Sequence, residues 1–437
     1  MKDFSFGDFI YQKRKSLGLS QSDLAQKLGI SNKAISKWET STAKPSLQHL
    51  AGLAKALGVS FEELLSSQIA NPEKKITKIV VTGGPCAGKS TAQSWIQQTF
   101  EKKGYAVLFV PESATELITS GVAPWTLESN FDFQNAILKL QIAKENIFEQ
   151  SAKKIYGKDK VLIVCDRGVL DNKAYMEKQE FEKILKVNNL SETTLRDEYD
   201  AVFHLVTCAK GAEEFYTLEN NSARTETVAE AISLDDKLIS AWTGHPHFRV
   251  IDNSSNFENK MKKLIAEISA ILGEPVPYEI ERKFLIEYPN LKTLEENENC
   301  KKVEIIQTYL KSQNDEEIRV RQRGENGNYI YTKTTKRTIN YKKRIEIEKR
   351  LTKDEYLELM MEADTTKRQI RKTRYCLIYQ NQYFEIDIYP FWNDKAIMEI
   401  ELADENQQIS FPKFIKIIKE VTDDEAYKNS SIANINI

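Results

Sequence analysis

Hydrophobic and polar positions along the chain follow three successive patterns. In residues 6–66 apolar side chains recur at helical spacing, as in SQSDLAQKLG, SNKAISKWE and SLQHLAGLAKALG, which predicts short helices only. Residues 76–272 alternate continuous apolar runs, such as KIVVTGG and KVLIVCD, with helical segments, an order typical of an α/β domain. From residue 278 onward, apolar and charged residues alternate with a period of two, which predicts β-strands with one charged face.

Two proline-containing segments separate these patterns. SSQIANPEKK at 66–75 precedes the first apolar strand, and LGEPVPY at 272–278 precedes the alternating region. Proline stops a helix because it lacks an amide proton and its ring clashes with the preceding turn. We therefore predict a multidomain chain with an all-α bundle in 1–70, an α/β domain with a parallel sheet in 76–272, and an antiparallel eight-stranded β domain with flanking helices in 277–437.

Composition and charge narrow the class of protein. With 437 residues, 41% hydrophobic and 29% charged, the chain is typical of a globular protein with several cores. It shows no run of about 18 apolar residues and no secretory signal, so we expect no membrane partner. The five cysteines are scattered without a C-x-x-C pair, which favours a cytoplasmic location. Residues 1–75 hold 11 Lys and Arg against 7 Asp and Glu, a modest excess that could meet nucleic acid.

The first segment carries a recognisable helical motif. The run LSQSDLAQKLGISNKAISKWETSTAKPSLQHLAGLAKALGVS closely resembles the helix-turn-helix domain of Xre/Cro-type repressors. The resemblance implies that the helix from about Ser31 to Glu39 enters the DNA major groove. We expect Trp38 and Glu39 to be structural, as a packed ring and a buried or helix-end ion pair. The implied DNA-contacting residues are Gln21, Ser31, Asn32, Lys33, Ser36 and Lys37. Because one such module reads one half-site, we expect a homodimer on an inverted-repeat operator; the alternative is a bundle that binds another protein.

The second segment opens with a phosphate-binding pattern. ITKIVVTGGPCAGKST at 76–91 places a strand, a glycine-rich turn and a helix start in the order of G-x-x-x-x-G-K-[ST]. Backbone N–H groups of such a turn point at phosphate, Lys89 would reach the β- and γ-phosphates of ATP or GTP, and Ser90 would bind Mg²⁺ or Mn²⁺. The predicted nucleotide-binding residues are Gly83, Gly84, Pro85, Cys86, Ala87, Gly88, Lys89, Ser90, Thr91, Asp166 and Arg167.

Two acidic residues end further strands of this segment. Asp166 follows KVLIVC and is the expected metal partner, while Glu112 follows YAVLFVP and could act as a base toward a phosphate acceptor. The alternative for each is a helix cap or a surface acid. SARTETVAEA resembles the lid of small kinases, which implies that Arg224 neutralises transferring phosphate. Residues 76–270 as a whole resemble P-loop ATPases that include ribosylnicotinamide-kinase and thymidylate-kinase-like domains.

The charged faces of the third segment are sorted by sign. In YEIERKFLIEY, RIEIEKR, YFEIDIY and IMEIEL acids recur at i, i+2, whereas IRVRQR aligns arginines. A solvated sheet face is the simpler alternative, but such faces usually mix signs. A closed sheet of about eight strands can enclose one small ligand, so a lining of carboxylates and arginines predicts a polyanion bound with a divalent metal.

EIERK also matches the E-x-E-x-K signature of CYTH domains, the triphosphate tunnel metalloenzymes. The resemblance implies an antiparallel eight-stranded β tunnel in which Mg²⁺ or Mn²⁺ is held by Glu279, Glu281, Glu399 and Glu401. The residues implied to grip the triphosphate are Lys283, Arg319, Arg321, Lys333, Arg344 and Arg374. Glu346 and Glu348 would complete the acidic side.

Together these patterns predict a DNA-binding regulator with a nucleotide-binding P-loop domain and a metal-dependent tunnel that hydrolyses a triphosphate or polyphosphate. Three alternatives remain open from the sequence. Both phosphate sites could act as sensors without turnover, the central domain could be a small-molecule kinase, or the tunnel could cyclise ATP.

Overall fold

The chain is described from a computed structural model. It describes residues 6–39, 45, 47–59, 75–155, 160–213, 227–273, 280–312, 316–340, 343–402 and 407–434; within these, the side chains of 6–9, 12, 47–48, 51, 280, 316, 337–340 and 343–347 are not described. Within these ranges, no helix combines the length and the apolar character that crossing a membrane requires.

The N-terminal residues form a helical bundle, as predicted. Ser20 caps the second helix in a capping box with Asp23, and Gly29 ends that helix with φ 65°. Leu24, Ile35 and other buried apolar side chains from the helices form its core. The helices are α1 (Phe6–Ser16), α2 (Gln21–Leu28), α3 (Asn32–Glu39) and α4 (Leu47–Leu57).

A buried ion pair joins the first and third helices of this bundle. Arg14 Nη2 donates to Glu39 Oε2 at 2.9 Å, Arg14 Nε donates to Oε1 at 2.5 Å, and both side chains are 3% exposed. Gln21 Nε2 donates to the same Oε2 at 2.7 Å. The predicted structural role of Glu39 is therefore confirmed.

The second region is an α/β fold, as predicted. Its strands form a five-stranded sheet in the order β2-β3-β1-β4-β5 within the described residues, and β4 pairs in parallel with both β1 and β5. The elements are β1 (Lys75–Gly83), α5 (Lys89–Lys102), β2 (Ala106–Val110), α6 (Ser113–Thr119), α7 (Asn130–Ala152), β3 (Lys160–Asp166), a 3-10 helix (Val169–Tyr175), α8 (Lys178–Val187), α9 (Glu192–Arg196), β4 (Ala201–Leu205), α10 (Val228–Trp242), β5 (Phe248–Ile251) and α11 (Phe257–Leu272).

The third region is an antiparallel sheet. In the part of the chain that is described, it has nine strands in the order β10-β9-β8-β7-β11-β12-β13-β6-β14, one more than predicted. The elements are β6 (Ile280–Glu287), α12 (Leu291–Glu295), β7 (Cys300–Tyr309), β8 (Glu316–Glu325), β9 (Asn328–Asn340), β10 (Lys343–Leu351), α13 (Lys353–Met360), β11 (Ile370–Tyr379), β12 (Gln382–Ile388), β13 (Lys395–Leu402), β14 (Ile417–Glu420), a 3-10 helix (Glu425–Tyr427) and α14 (Asn429–Ile432).

The additional strand is β14, whose four residues pair with β6 at one edge of the sheet through an irregular register. One face of the sheet is apolar, where Phe284, Phe384, Met398 and their neighbours form a buried core. The charged positions between them share the other face, because successive side chains of a strand alternate.

We expect Glu39→Gln to destabilise the N-terminal bundle by roughly 3–5 kcal/mol, because the change leaves the buried Arg14 guanidinium without its counter-charge. Hydrogen exchange of peptides from α1–α4 in the full chain measures this directly. Lys55→Gln, on the exposed side of α4, is the matched control and should leave protection unchanged. Equal protection in wild type and Glu39→Gln would show that the pair does not stabilise the bundle.

Candidate functional site

A glycine-rich turn joins β1 to α5 in the predicted strand–turn–helix order. Gly83 has φ 150°, and a Cβ there would lie 2.1 Å from the carbonyl oxygen of Leu205. Gly88 has φ 93°, and its Cβ would lie 2.7 Å from the ring of Phe257. A side chain at Gly83 would clash with the backbone, and one at Gly88 would require a strained backbone and a shift of the Phe257 ring. The other predicted phosphate-binding residues lie in this turn or in the first turn of α5: Gly84, Pro85, Cys86, Ala87, Lys89, Ser90 and Thr91.

A buried aspartate that the sequence analysis missed fixes the turn. Asp235 Oδ1, on α10, accepts the Gly84 N–H at 3.0 Å and the Thr207 N–H at 3.1 Å. The same carboxylate contacts His204 Nε2 at 2.9 Å and Lys210 Nζ at 2.9 Å. Burial alone would raise the pKa of the Asp235 carboxyl, but His204 and Lys210 hold this pKa well below its usual range. A full negative charge is thus held beneath the turn, where it orients the backbone.

A buried lysine, also missed, holds the same turn from α11. Lys260 Nζ donates to the carbonyl oxygens of Val206 at 2.6 Å and Ala87 at 3.2 Å, and to Asn253 Oδ1 at 2.7 Å. Burial lowers the pKa of Lys260 to about 8. No local motif marks either residue, because both act on the turn from distant positions in the chain.

The side chains of Lys89 and Asp166 are close enough to interact electrostatically, at the ends of the neighbouring strands β1 and β3. Lys89 Nζ donates to the Gly83 carbonyl at 3.4 Å, and burial lowers its pKa to about 8. Asp166 Oδ1 is buried without a hydrogen-bond partner, and burial raises the pKa of this carboxyl. An orphaned carboxylate oxygen near a phosphate-binding lysine is a chemically suitable ligand for a hard divalent cation, so these residues fit the implied metal.

The predicted base Glu112 is engaged by Arg167. Arg167 Nε lies 2.5 Å from Glu112 Oε1, and Arg167 Nη1 lies 3.4 Å from Asp171 Oδ2. Burial alone would raise the pKa of Glu112, but Arg167 and Lys89 lower this pKa to about 2. A carboxylate held in this way is a weak proton acceptor, so the geometry favours a positioning role for Glu112. Arg224 lies outside the described residues.

Strand register brings the charged residues of the third region together. Glu281 is directly opposite Glu401, and Lys283 is opposite Glu399, across β6 and β13. Glu385 on β12 is opposite Glu399 on β13. Arg374 on β11 is opposite Asp387 on β12. Directly opposed residues point to the same side of a sheet, so these side chains form one charged surface.

Arg374 is the centre of this surface. Its Nε and Nη2 atoms lie 2.7 Å from the two oxygens of Asp387, and Nη2 lies 3.2 Å from Glu399 Oε2. It also pairs with Glu385, and Lys283 Nζ lies 2.7 Å from Glu399 Oε1. The alternating pattern included Asp387, but the predicted site residues did not.

Three of the carboxylates that line one cleft at the edge of this cluster belong to β6 and β13: Glu281, Glu399 and Glu401. The charge of Glu399, together with burial, raises the pKa of Glu281 to about 8, and the Glu281 side chain remains 41% exposed. Oxygen donors at neighbouring positions suit Mg²⁺ or Mn²⁺. Among the described residues, however, no group of three His, Cys, Asp or Glu side chains is already arranged around an ion position. Glu399 pairs with Lys283 and Glu401 pairs with Arg249 instead. Glu279 lies outside the described residues.

The basic part of the same face lies on β8. Arg319 and Arg321 are opposite Tyr309 and Gln307, and Arg321 Nη2 donates to Gln307 Oε1 at 3.4 Å. Thr334 Oγ1 on β9 donates to Glu348 Oε2 on β10 at 3.1 Å, which places the predicted Glu348 on this face. Arg344 and Glu346 are register partners of Thr338 and Lys336, and their side chains lie outside the described part.

The prediction for Lys333 is wrong. It is opposite Val320 on β8, which is fully buried in an apolar cluster with Leu310 and Tyr356. Lys333 therefore belongs to the other side of the sheet. Lys336, three residues later, is opposite Glu317 and Glu346 and shares the charged face.

The predicted DNA-contacting residues lie on and beside α3. Asn32, Lys33 and Lys37 are exposed, and Ser36 is half-buried. Ser31 Oγ accepts the Ala34 N–H at 3.2 Å, so this side chain also caps the helix. The half-buried Gln21 is held by Glu39, as described above.

Three family models match separate parts of the chain. A helix-turn-helix model matches residues 10–64, an AAA domain model matches 78–260, and a CYTH domain model matches 277–431. The chain therefore contains a helix-turn-helix domain, a P-loop AAA domain and a CYTH domain.

Individual relatives are similar to parts of the chain. Repressor protein C2 of Salmonella phage P22 is 39% identical over 64 residues, which cover 15% of this chain and 30% of the repressor. The HTH-type transcriptional activator BcrR of Enterococcus faecalis is 36% identical over 63 residues, 14% of this chain and 31% of BcrR. The chain thus spans under a third of the length of these curated relatives.

Solved structures are similar to the same two ends of the chain. The inorganic triphosphatase NE1496 is 27% identical, with 36% of this chain and 93% of that chain covered and a TM-score of 0.26. The P22 c2 repressor in complex with synthetic operator 9T is 40% identical, with 14% and 91% covered and a TM-score of 0.14.

Removing the Asp235 carboxylate should weaken nucleotide binding although Asp235 lies beneath the turn. In Asp235→Ala the Gly84 and Thr207 N–H groups lose their acceptor, and we expect ATP affinity to fall about tenfold or more. Calorimetric titration of the full chain with ATP and Mg²⁺ measures this change. Asp236→Ala is the matched control, because the side chain of Asp236 is 59% exposed and pairs with Lys210. Unchanged ATP affinity in Asp235→Ala, with thermal stability also unchanged, would contradict the anchoring role.

Proposed function

We propose that this protein is a DNA-binding regulator whose CYTH domain hydrolyses a triphosphate or polyphosphate with a divalent metal, and whose P-loop domain binds ATP or GTP. The observation that carries the proposal is the single sheet face on which Arg319, Arg321 and Arg374 lie together with the carboxylates of Glu281, Glu399 and Glu401. Such a face can neutralise a polyphosphate and its metal at the same time. The CYTH match and the P-loop geometry support the assignment.

The residues of the chain have separate roles in this reaction. Glu281, Glu399 and Glu401 would hold Mg²⁺ or Mn²⁺, which when bound would neutralise phosphate oxygens and polarise the bond that breaks. Arg319 and Arg321 bind the phosphate chain and stabilise the charge that develops on its oxygens. Lys283 and Arg374 already contact Glu399, so they orient this carboxylate as well as bind phosphate. A water molecule attacks one phosphorus atom and its proton passes to the solvent, while the bridging P–O bond breaks and the leaving phosphate keeps the electron pair of that bond.

The helix-turn-helix domain would place these sites on DNA. Lys33 and Lys37 are exposed on α3 and would contact phosphate or base edges, and Asn32 and Ser36 would read the sequence. The formal net charge of −2 gives the whole chain little general attraction to DNA. We therefore propose a homodimer that binds an inverted repeat with two recognition helices.

We expect Glu281→Gln to reduce tripolyphosphate hydrolysis by at least about 100-fold, because removing one oriented charge from an active site has an effect of this size. The measurement is phosphate release by the full chain with Mg²⁺ or Mn²⁺. Glu304→Gln is the matched control. Glu304 lies on β7 on the side of the sheet opposite the charged face, and its carboxylate accepts a hydrogen bond from the Tyr329 hydroxyl. Wild-type protein that binds tripolyphosphate without releasing phosphate would instead identify a sensor.

We expect the double change Lys33→Ala with Lys37→Ala to weaken binding to every DNA sequence and to reduce the slope of log affinity against log salt by about 2, because each phosphate contact releases about one counterion. Selection from a random pool and the solution mass of the complex test the inverted repeat and the dimer. Lys55→Ala, on α4, is the control and should bind as wild type does. A monomer that selects no motif at any salt concentration would favour the protein-binding bundle.

A further inference from the structure

An arginine of the P-loop domain reaches the carboxylates of the CYTH domain. Arg249 lies on β5, and its Nη2 atom pairs with Glu401 Oε2 on β13. On its other side, Arg249 Nε lies 3.4 Å from Glu267 Oε2 on α11. The arginine side chain is 17% exposed, so it is mostly enclosed between the two domains. It lines the same cleft as Glu281 and Glu399.

The charges in this cleft explain why a cation is needed there. Glu281 and Glu401 are directly opposite each other on neighbouring strands, and Glu399 lies two residues before Glu401. Like charges at such distances repel, and the repulsion is stronger away from bulk water. Lys283 approaches Glu399 at 2.7 Å and Glu281 at 3.8 Å. Among the described residues, Glu401 forms its ion pair with Arg249.

The position of Arg249 also indicates what it does not do. Its guanidinium lies between two carboxylates, Glu267 and Glu401, which together balance its charge. Arg319 and Arg321, by contrast, lie on β8 at the basic part of the face. Arg249 is therefore placed to compete with a metal for Glu401 and poorly placed to bind the phosphate chain.

We propose that Arg249 is a built-in counter-cation of the tunnel, which occupies the Glu401 carboxylate in the absence of metal and leaves it when a divalent ion binds. The inference rests on the proposed function, since it assumes that Glu401 and Glu281 are metal ligands. It makes the affinity of the CYTH domain for metal depend on a residue of the P-loop domain. Arg249 acts through Glu401 and is thus a positioning residue.

The test is the affinity of the full chain for Mn²⁺, followed without nucleotide by the electron paramagnetic resonance signal of free Mn²⁺. All variants, wild type included, carry Ser90→Ala and Asp166→Asn, which remove the two proposed metal ligands of the P-loop domain. Arg249→Gln should bind Mn²⁺ about three- to tenfold more tightly, because the ion no longer displaces a partly exposed ion pair. Arg249→Lys keeps the charge and should stay close to wild type.

The control is Lys263→Gln, which removes one positive charge from the same cleft, where Lys263 lies 3.8 Å from Asp252. It should change Mn²⁺ affinity much less than Arg249→Gln does. Equal tightening in both variants, or unchanged or weaker binding in Arg249→Gln, would overturn the proposal. If Glu281→Gln leaves Mn²⁺ binding unchanged, the proposed metal site is wrong and this inference falls with it. Wild-type binding that depends on Glu281, with no gain in Arg249→Gln, refutes the inference alone.

Discussion

The guanidinium of Arg374 contacts three carboxylates, those of Glu385, Asp387 and Glu399, on a sheet face where an unpaired charge would be costly. Much of the C-terminal domain follows from this requirement for charge balance. Acidic residues at i, i+2 on neighbouring strands are tolerated because Arg374 and Lys283 lie between them. The apolar positions that alternate with them pack on the opposite face, so one register sets both the core and the charged surface.

The same constraint joins the CYTH domain to the P-loop domain. Arg323, the third arginine of IRVRQR, turns to the P-loop domain, where it lies 2.6 Å from Asp197 and bonds to the Gly244 carbonyl. Arg249 makes the reciprocal contact by reaching from β5 to Glu401. Helix α11 takes part at both ends, since Glu267 pairs with Arg249 and Lys260 holds the carbonyl of Ala87 in the phosphate-binding turn. One helix of the P-loop domain thus contacts both the phosphate-binding turn and the arginine that pairs with Glu401.

Local patterns in the sequence predicted the three folds and most of the candidate sites, because a P-loop and an alternating strand are each defined by neighbouring residues. Lys333 was misassigned because period-two alternation does not reveal which side of a strand faces inward; its pairing with Val320 decides this. Asp235 and Lys260 escaped notice because they act on the turn from residues more than a hundred positions away. Arg249 was missed for a related reason, since its partner Glu401 belongs to another domain.

The central claim is that one charged sheet face binds a polyphosphate together with a divalent metal. The most direct measurement is a crystal structure of the full chain with Mn²⁺ and diimidotriphosphate, a triphosphate analogue in which nitrogen replaces both bridging oxygens and resists hydrolysis. The account predicts an anomalous Mn²⁺ peak between Glu281, Glu399 and Glu401, with the analogue against Arg319, Arg321 and Arg374. An analogue bound away from these arginines, or a metal peak absent from these carboxylates, would contradict it.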